Sequence, residues 1–181
     1  LNFSYMNGKR DGQEAPARLC GVNLDLHRGE RIAVIGKSGS GKTTFLKVMR
    51  DQYHPKSLDL SVDGVTISHG FKGIADAIAL VPQNPELFTT TVWENITLGI
   101  DHDPATVMHY SDMACFTDVA ANLPHGFESS VKEDGMNLSG GEQQRLALAR
   151  ALLASMQRDL LLLDESTSSL DAPTEIAVYD G

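Results

Sequence analysis

Two segments of this chain carry residue types that could handle a nucleotide's phosphates. The first, Gly36-Lys37-Ser38-Gly39-Ser40-Gly41-Lys42-Thr43, fills every fixed position of the pattern GxxxxGK[ST]. Glycines let backbone N–H groups curl around phosphate oxygens, and a helix starting where the loop ends adds the positive end of its dipole. Lys42 would then reach the β- and γ-phosphates and Thr43 would offer its hydroxyl to Mg²⁺, with Thr44 next in the same helix start. The bland alternative is a glycine-rich turn that binds nothing. Against it stands the context, an apolar run before the loop and a helical pattern after it, which is what a phosphate loop requires.

The second segment, Leu160-Leu161-Leu162-Leu163-Asp164-Glu165, is an apolar strand ending in two carboxylates. Ligands of α/β sheets gather at the carboxyl ends of strands, which would bring both acids to the phosphates. Adjacent strand residues point opposite ways, so the two acids should do different jobs. Asp164 is expected on the Mg²⁺ side, directly or through water, and Glu165 as the base or orienter of an attacking water. Taken alone, the pair could be a solvated strand cap; the phosphate loop elsewhere in the chain favours the chemical reading.

These groups need a frame. Residues 1–30 read as a small antiparallel β subdomain, with turn pairs Asn7-Gly8 and Asp11-Gly12 and a later strand alternating through Val22, Leu24 and Leu26. Arg31 to Ile35 reads as a strand buried on both faces, leading through the glycine loop into a helix near Lys42. Further buried strands are expected at Ala77 to Val81 and Leu160 to Leu163. Between them, helical character runs from about Val92 to Ala154. The class is therefore α/β, a mainly parallel sheet with an antiparallel β appendage and an inserted helical subdomain. The expected division is one domain over 1–181, its core at 31–83 and 155–181 and its helical subdomain at about 84–154.

Composition narrows the function classes. With 41% hydrophobic and 22% charged residues the 181-residue chain is ordinary globular material. A formal net charge of -9 argues against a nucleic-acid surface, which needs clustered Lys and Arg. Cys20 and Cys115 form no CxxC pair and point to a reducing setting, with both expected as buried small residues. No apolar run approaches the roughly 20 residues needed to span a bilayer, so any membrane portion is expected outside this chain. The N-x-[ST] triplets at Asn2, Asn95 and Asn137 are read as chance matches.

The most discriminating segment is Leu138-Ser139-Gly140-Gly141-Glu142-Gln143-Gln144-Arg145. Locally, Ser139 and Glu142 have the spacing of a capping box for the helix that carries Leu146, Ala149, Leu152 and Leu153. The segment also resembles the signature motif of the ABC ATPase family, usually LSGGQ, which other phosphate-loop enzymes lack. With the loop, the signature and the acidic strand in that order, the resemblance spans nearly the whole chain. It implies a P-loop NTPase with a RecA-like core, binding Mg²⁺ and ATP. It further implies a head-to-tail dimer in which Ser139, Gly140, Gly141 and Glu142 face the partner domain's γ-phosphate. Glu142 departs from the commoner Gln but keeps the capping role.

The same resemblance assigns smaller motifs. Tyr5 looks like the aromatic residue that stacks on adenine, though by itself it is an edge-strand tyrosine. Gln83 looks like the Q-loop glutamine, touching Mg²⁺ or the lytic water. Ser168-Ser169-Leu170-Asp171 resembles the loop that crosses the dimer interface, or is a simple turn. Phe88 to Ile96, and Leu123 to Phe127 with Glu133-Asp134-Gly135, resemble the exporter branch, where such stretches meet coupling helices of membrane domains. Glu133 is then a contact residue, or else an exposed loop acid.

The expectation is thus an ATPase catalysed by Glu165, Gln83 and Lys42 and attached through transmembrane domains to the cytoplasmic face of a membrane, powering export. The alternatives are a soluble ABC ATPase without a membrane partner and a non-catalytic ATP-binding module. No histidine follows His125, so the family's switch histidine and the closing part of the core are expected to be missing and hydrolysis by this stretch alone weak.

Overall fold

The computed structural model describes residues 1, 9–10, 13–14, 19–132 and 138–165. They fall into two compact units, one up to Ile78 and one from Ala79.

In the first unit, β1 (Lys9–Arg10) and β2 (Gln13–Glu14) pair antiparallel with Arg10 opposite Gln13; the expected turn pairs Asn7-Gly8 and Asp11-Gly12 lie outside the described residues. The backbone of Leu1 exchanges two bonds with Val22, at 3.2 and 3.0 Å. From there to the phosphate loop the structure departs from expectation. Residues 22–37 are not in a strand, and Leu24, Leu26, Ile32 and Val34 are exposed, with Ile35 at 92%. The expected strands at 22–26 and 31–35 are therefore corrected. An apolar run becomes a strand only where a neighbour supplies a ladder of hydrogen bonds, and the Leu1–Val22 pair is a single rung rather than a ladder.

Helix α1 (Lys42–Met49) starts where the sequence places it and buries Phe45, Leu46, Val48 and Met49. It packs on a 3₁₀ helix over Gly70–Ala77, whose Phe71 is buried. Between them lies a hairpin that sequence reasoning missed, β3 (Ser61–Val62) with β4 (Val65–Thr66). Its two turn residues, Asp63 and Gly64, both have positive φ, at 50° and 77°. This is the geometry that an Asp-Gly pair favours in a two-residue hairpin, and Val62 and Val65 on either side could have announced it.

The second unit is a helical body on two strands. β5 (Ile78–Val81) pairs with β6 (Leu160–Leu163), and the Asp164 N–H donates to the Val81 carbonyl at 3.0 Å. That bond joins the carboxyl ends of both strands, so the pair is parallel. Helices α2 (Val92–Thr97), α3 (Pro104–Met113), α4 (Thr117–Ala121) and α5 (Gly140–Ser155) surround a core of Val81, Val92, Ile96, Phe116, Val131 and Leu146. α5 is the central element, packed against α2, α3 and β6, and its run Leu146 to Ala149 is buried on every side. Alanines at 147, 149 and 151 let neighbouring elements approach it closely. α3 opens on Asp103, which accepts from the Thr106 N–H at 3.2 Å, followed by Pro104 at the first helical position. α2 is closed by Leu98 and Gly99, both at positive φ.

Cys20 is exposed and Cys115, a turn residue with φ 52°, is half-buried, so the expectation that both are buried is corrected. Asn95 is fully buried with its amide engaged, which removes it as a glycosylation acceptor. Among the described residues no helix is long and apolar enough to cross a membrane.

Candidate nucleotide site

The phosphate loop lies in the first unit. Its curl begins with a turn in which the Ser40 N–H donates to the Lys37 carbonyl at 3.1 Å. Gly41 caps α1 with φ 101°, a conformation that L side chains rarely adopt. At Gly36 a Cβ would lie 2.7 Å from Ser40 Oγ, so the loop closes tightly enough there that a side chain would have to displace the Ser40 hydroxyl. Lys42 Nζ folds over this curl and donates to the carbonyls of Gly36 at 2.9 Å and Lys37 at 3.3 Å. The lysine thus already spans the mouth of the loop. Residues 37–40 are exposed, Thr43 is half-buried and Thr44 is buried. A nucleotide's phosphates fit this set: an exposed glycine-bordered curl, a helix start with neither acidic residue nor side-chain cap, and one ammonium.

Gln83, Asp164 and Glu165 lie in the second unit, at the carboxyl ends of β5 and β6. Both acids lie just past the end of β6 and differ in exposure. Asp164 is 4% exposed and anchored through its backbone to Val81, whereas Glu165 is exposed and holds φ 50°. Glu165 Oε2 accepts from Gln83 Nε2 at 2.7 Å, bringing together two residues 82 apart in sequence. The Gln83 carbonyl in turn accepts from Gln144 Nε2 at 3.1 Å. Nothing in the local pattern marks Gln144 for this contact. The hydroxyl of Thr43 in the first unit and, separately, the carboxylate of Asp164 in the second are each hard oxygen donors of the kind Mg²⁺ takes.

The signature segment forms the start of α5. Ser139 is the N-cap; Ser139 Oγ accepts from the Glu142 N–H at 3.3 Å and Glu142 Oε2 accepts from the Ser139 N–H at 2.7 Å. The expected capping box is therefore present, with Gly140 and Gly141 in the first turn. The Gln143 amide donates to the Leu138 carbonyl at 3.1 Å.

A half-buried polar junction that sequence reasoning did not anticipate ties the loop after Gln83 to α5. Arg150 on α5 donates through Nε to the Asn95 carbonyl at 2.7 Å, through Nη1 to the Glu86 carbonyl at 2.9 Å and through Nη2 to Asn95 Oδ1 at 2.9 Å. Its guanidinium lies 5.3 Å from the centre of the Phe88 ring. The Asn95 side chain also takes the Phe88 N–H and gives its amide to the carbonyls of Phe88 and Thr91. Burial lowers the Arg150 pKa, yet an arginine stays charged in proteins, and the carbonyl oxygens around it accept that charge.

The two segments read as exporter-like meet in space. Thr91 bridges Ser130, the Val131 N–H donates to the Thr90 carbonyl at 2.7 Å, and Trp93 meets Phe127 edge-on at 6.4 Å. Thr91 and Glu94 form a second capping box, which the spacing T-x-x-E could have announced. Beside it Phe88, Thr90, Glu94, Leu98 and Gly99 line an open groove of about 310 Å³. Tyr5, Glu133 and Ser168 to Asp171 lie outside the described residues.

Comparison with known proteins supplies the family. The family model described as ABC transporter matches residues 19–168. The chain is 40% identical over 166 residues to an ABC-type transmembrane transporter, verA, of Clonostachys rogersoniana, covering 90% of this chain and 13% of that protein. It is 39% identical over 177 residues to an ATP-dependent lipid A-core flippase of Chromobacterium violaceum, covering 97% and 29%. A solved structure, described as a bacterial Atm1-family ABC exporter with ATP bound, superposes with a TM-score of 0.84 at 34% identity, over 99% of this chain and 30% of that one. The chain thus spans under a third of the length of each. It has the P-loop NTPase fold of that family. Phosphate loop, acidic strand end and capped signature helix, with matches over nearly the whole chain, lead to one conclusion: this chain belongs to the ABC transporter family, as a nucleotide-binding domain of the exporter type.

Proposed function

We propose that this domain binds ATP with Mg²⁺ and hydrolyses it in a head-to-tail dimer, powering transport across a membrane whose cytoplasmic face it occupies. Gly36 to Thr43, with Lys37, Ser38, Gly39, Ser40 and Gly41 supplying backbone donors, cradle the phosphates, and Lys42 exchanges its carbonyl partners for phosphate oxygens. Thr44 continues the helix start that faces them, and Tyr5 stacks on the adenine. Thr43, Asp164 and Gln83 would hold Mg²⁺, which would supply positive charge to offset that of the phosphates. Glu165 orients the attacking water and takes its proton. Ser139, Gly140, Gly141 and Glu142 meet the nucleotide of the partner domain. The groove beside Phe88 and Glu94 receives a short segment of the transmembrane partner, with Glu133 as a further contact.

One observation supports this division of labour above the rest: two consecutive carboxylates at one strand end, one buried and backbone-anchored, the other exposed and gripped by Gln83. A buried anchored acid suits a fixed cation, and an exposed one on an amide tether suits a water that must come and go.

The test is Glu165→Gln in the membrane-reconstituted transporter. Turnover is expected to fall by a factor of about 100 to 10,000, the usual worth of a positioned base. ATP should remain bound and the dimer should persist on native gels. Turnover at the parent rate would remove Glu165 from this role.

A further inference from the structure

Gln83 occupies an exposed loop between β5 and α2, outside any helix or strand. Yet its side chain must stay put if it is to hold Glu165. Its contacts show how: the Nε2 amide donates forward to Glu165 at 2.7 Å, while the Gln83 backbone carbonyl accepts from Gln144 Nε2 at 3.1 Å. Gln144 is only 6% exposed and sits two residues after the capping acid Glu142, on a helix whose residues Leu146 to Ala149 are buried. A line of amides therefore runs from the signature helix, through the Gln83 backbone, to the Glu165 carboxylate.

We propose that Gln144 is a positioning residue for hydrolysis: it anchors Gln83 to the signature helix and so sets where the Glu165 carboxylate is held. The inference rests on the role given to Glu165 above. The residue type suits the task. An uncharged amide can donate to a carbonyl without adding a charge beside a working carboxylate, and its two methylenes reach from a buried helix face to the loop. A displacement at the start of α5 is then passed to the base through two hydrogen bonds, within a single compact unit.

The test uses Gln144→Met, similar in volume but with no N–H, in the membrane-reconstituted transporter. Removing one neutral hydrogen bond that positions a base should lower kcat about fivefold to tenfold, with the KM for ATP changing by less than about twofold. In the nucleotide-free protein the backbone amides of Gln83, Asn84 and Glu86 should exchange hydrogen faster. A residue that merely fills the core would lower Tm and leave kcat intact. Unchanged kcat overturns the proposal, and so does unchanged exchange in this loop. Should the Met variant not fold, Gln144→Asn, whose amide falls one methylene short of Gln83, carries the same two readouts. If Glu165→Gln keeps full turnover, the functional reading itself fails; if it is inactive while Gln144→Met keeps full kcat, only the role of Gln144 is lost.

Discussion

The two helix starts that carry glycine motifs solve the same electrostatic problem in opposite ways. Both leave N–H groups without intrahelical partners and both present the positive end of a dipole. α5 answers with its own side chains: Ser139 and Glu142 bond each other's backbone N–H, and the carboxylate sits on the dipole. α1 has no side-chain cap and no acid in its first turn, and Gly41 takes the capping position with Lys42 next. A helix start with no side-chain cap and no acid, and with a cation beside it, is the kind proposed to hold an anion by itself. One already capped by a carboxylate can only meet an anion held elsewhere. The comparison explains how one chain could both own a nucleotide site and complete another's.

The sharpest way to break that comparison is Lys42→Ala. A hydrogen bond to a charged group contributes about 1.5–3 kcal/mol, so the Kd for ATP should rise about 10-fold to 100-fold in a titration. The melting temperature without nucleotide should hardly move, because the lysine's two carbonyl bonds are solvent-exposed. Unchanged ATP affinity would mean that α1 is not the anion-holding start.

Ser139→Ala probes the other side of the comparison with a smaller effect. Losing an N-cap costs about 1 kcal/mol, which for a domain of this size lowers Tm by about 2–4 °C. Because α5 is proposed to meet only the partner's nucleotide, ATP affinity of the isolated domain should stay within about twofold. A large loss of monomer affinity would make α5 a site in its own right and erase the contrast.

What could be read from the sequence follows the range of the interactions involved. The start of α1 at Lys42 and the Ser139–Glu142 box depend on a few consecutive residues, and both are where their patterns place them. The Asp63-Gly64 hairpin and the Thr91–Glu94 box were equally legible and went unread. Arg31 to Ile35 shows the opposite limit: its residues have strand character, but a strand is a property of a pair. The polar junctions were illegible for a different reason. Gln144 reaches Gln83 across 61 positions and Arg150 reaches Asn95 across 55, and no periodicity links residues so far apart. The acidic pair at the end of β6 was legible because an apolar run closed by two acids is a local pattern; the amide that grips Glu165 was not.

The smallest effect tests the finest feature of the comparison, the acid at position 142 where the family usually has glutamine. In the capping box its Oε2 accepts from the Ser139 N–H at 2.7 Å, and a glutamine oxygen at the same position can accept in the same way. Glu142→Gln should therefore leave the fold almost untouched, within about 0.5 kcal/mol. What changes is the charge on the dipole, which in the proposed dimer lies toward the partner's γ-phosphate. A charge at a helix terminus is worth about 0.3–1 kcal/mol, so removing a like charge should tighten ATP-driven dimerisation about twofold to fivefold. The gain should shrink as salt is raised, since an exposed charge is screened over about 10 Å at 0.1 M. Sedimentation with ATP at low and high salt reads both effects. Dimerisation weakened by the substitution would show that Glu142 engages a cation rather than merely capping its own helix, and α5 would then be a start that recruits partners instead of one that has already satisfied itself.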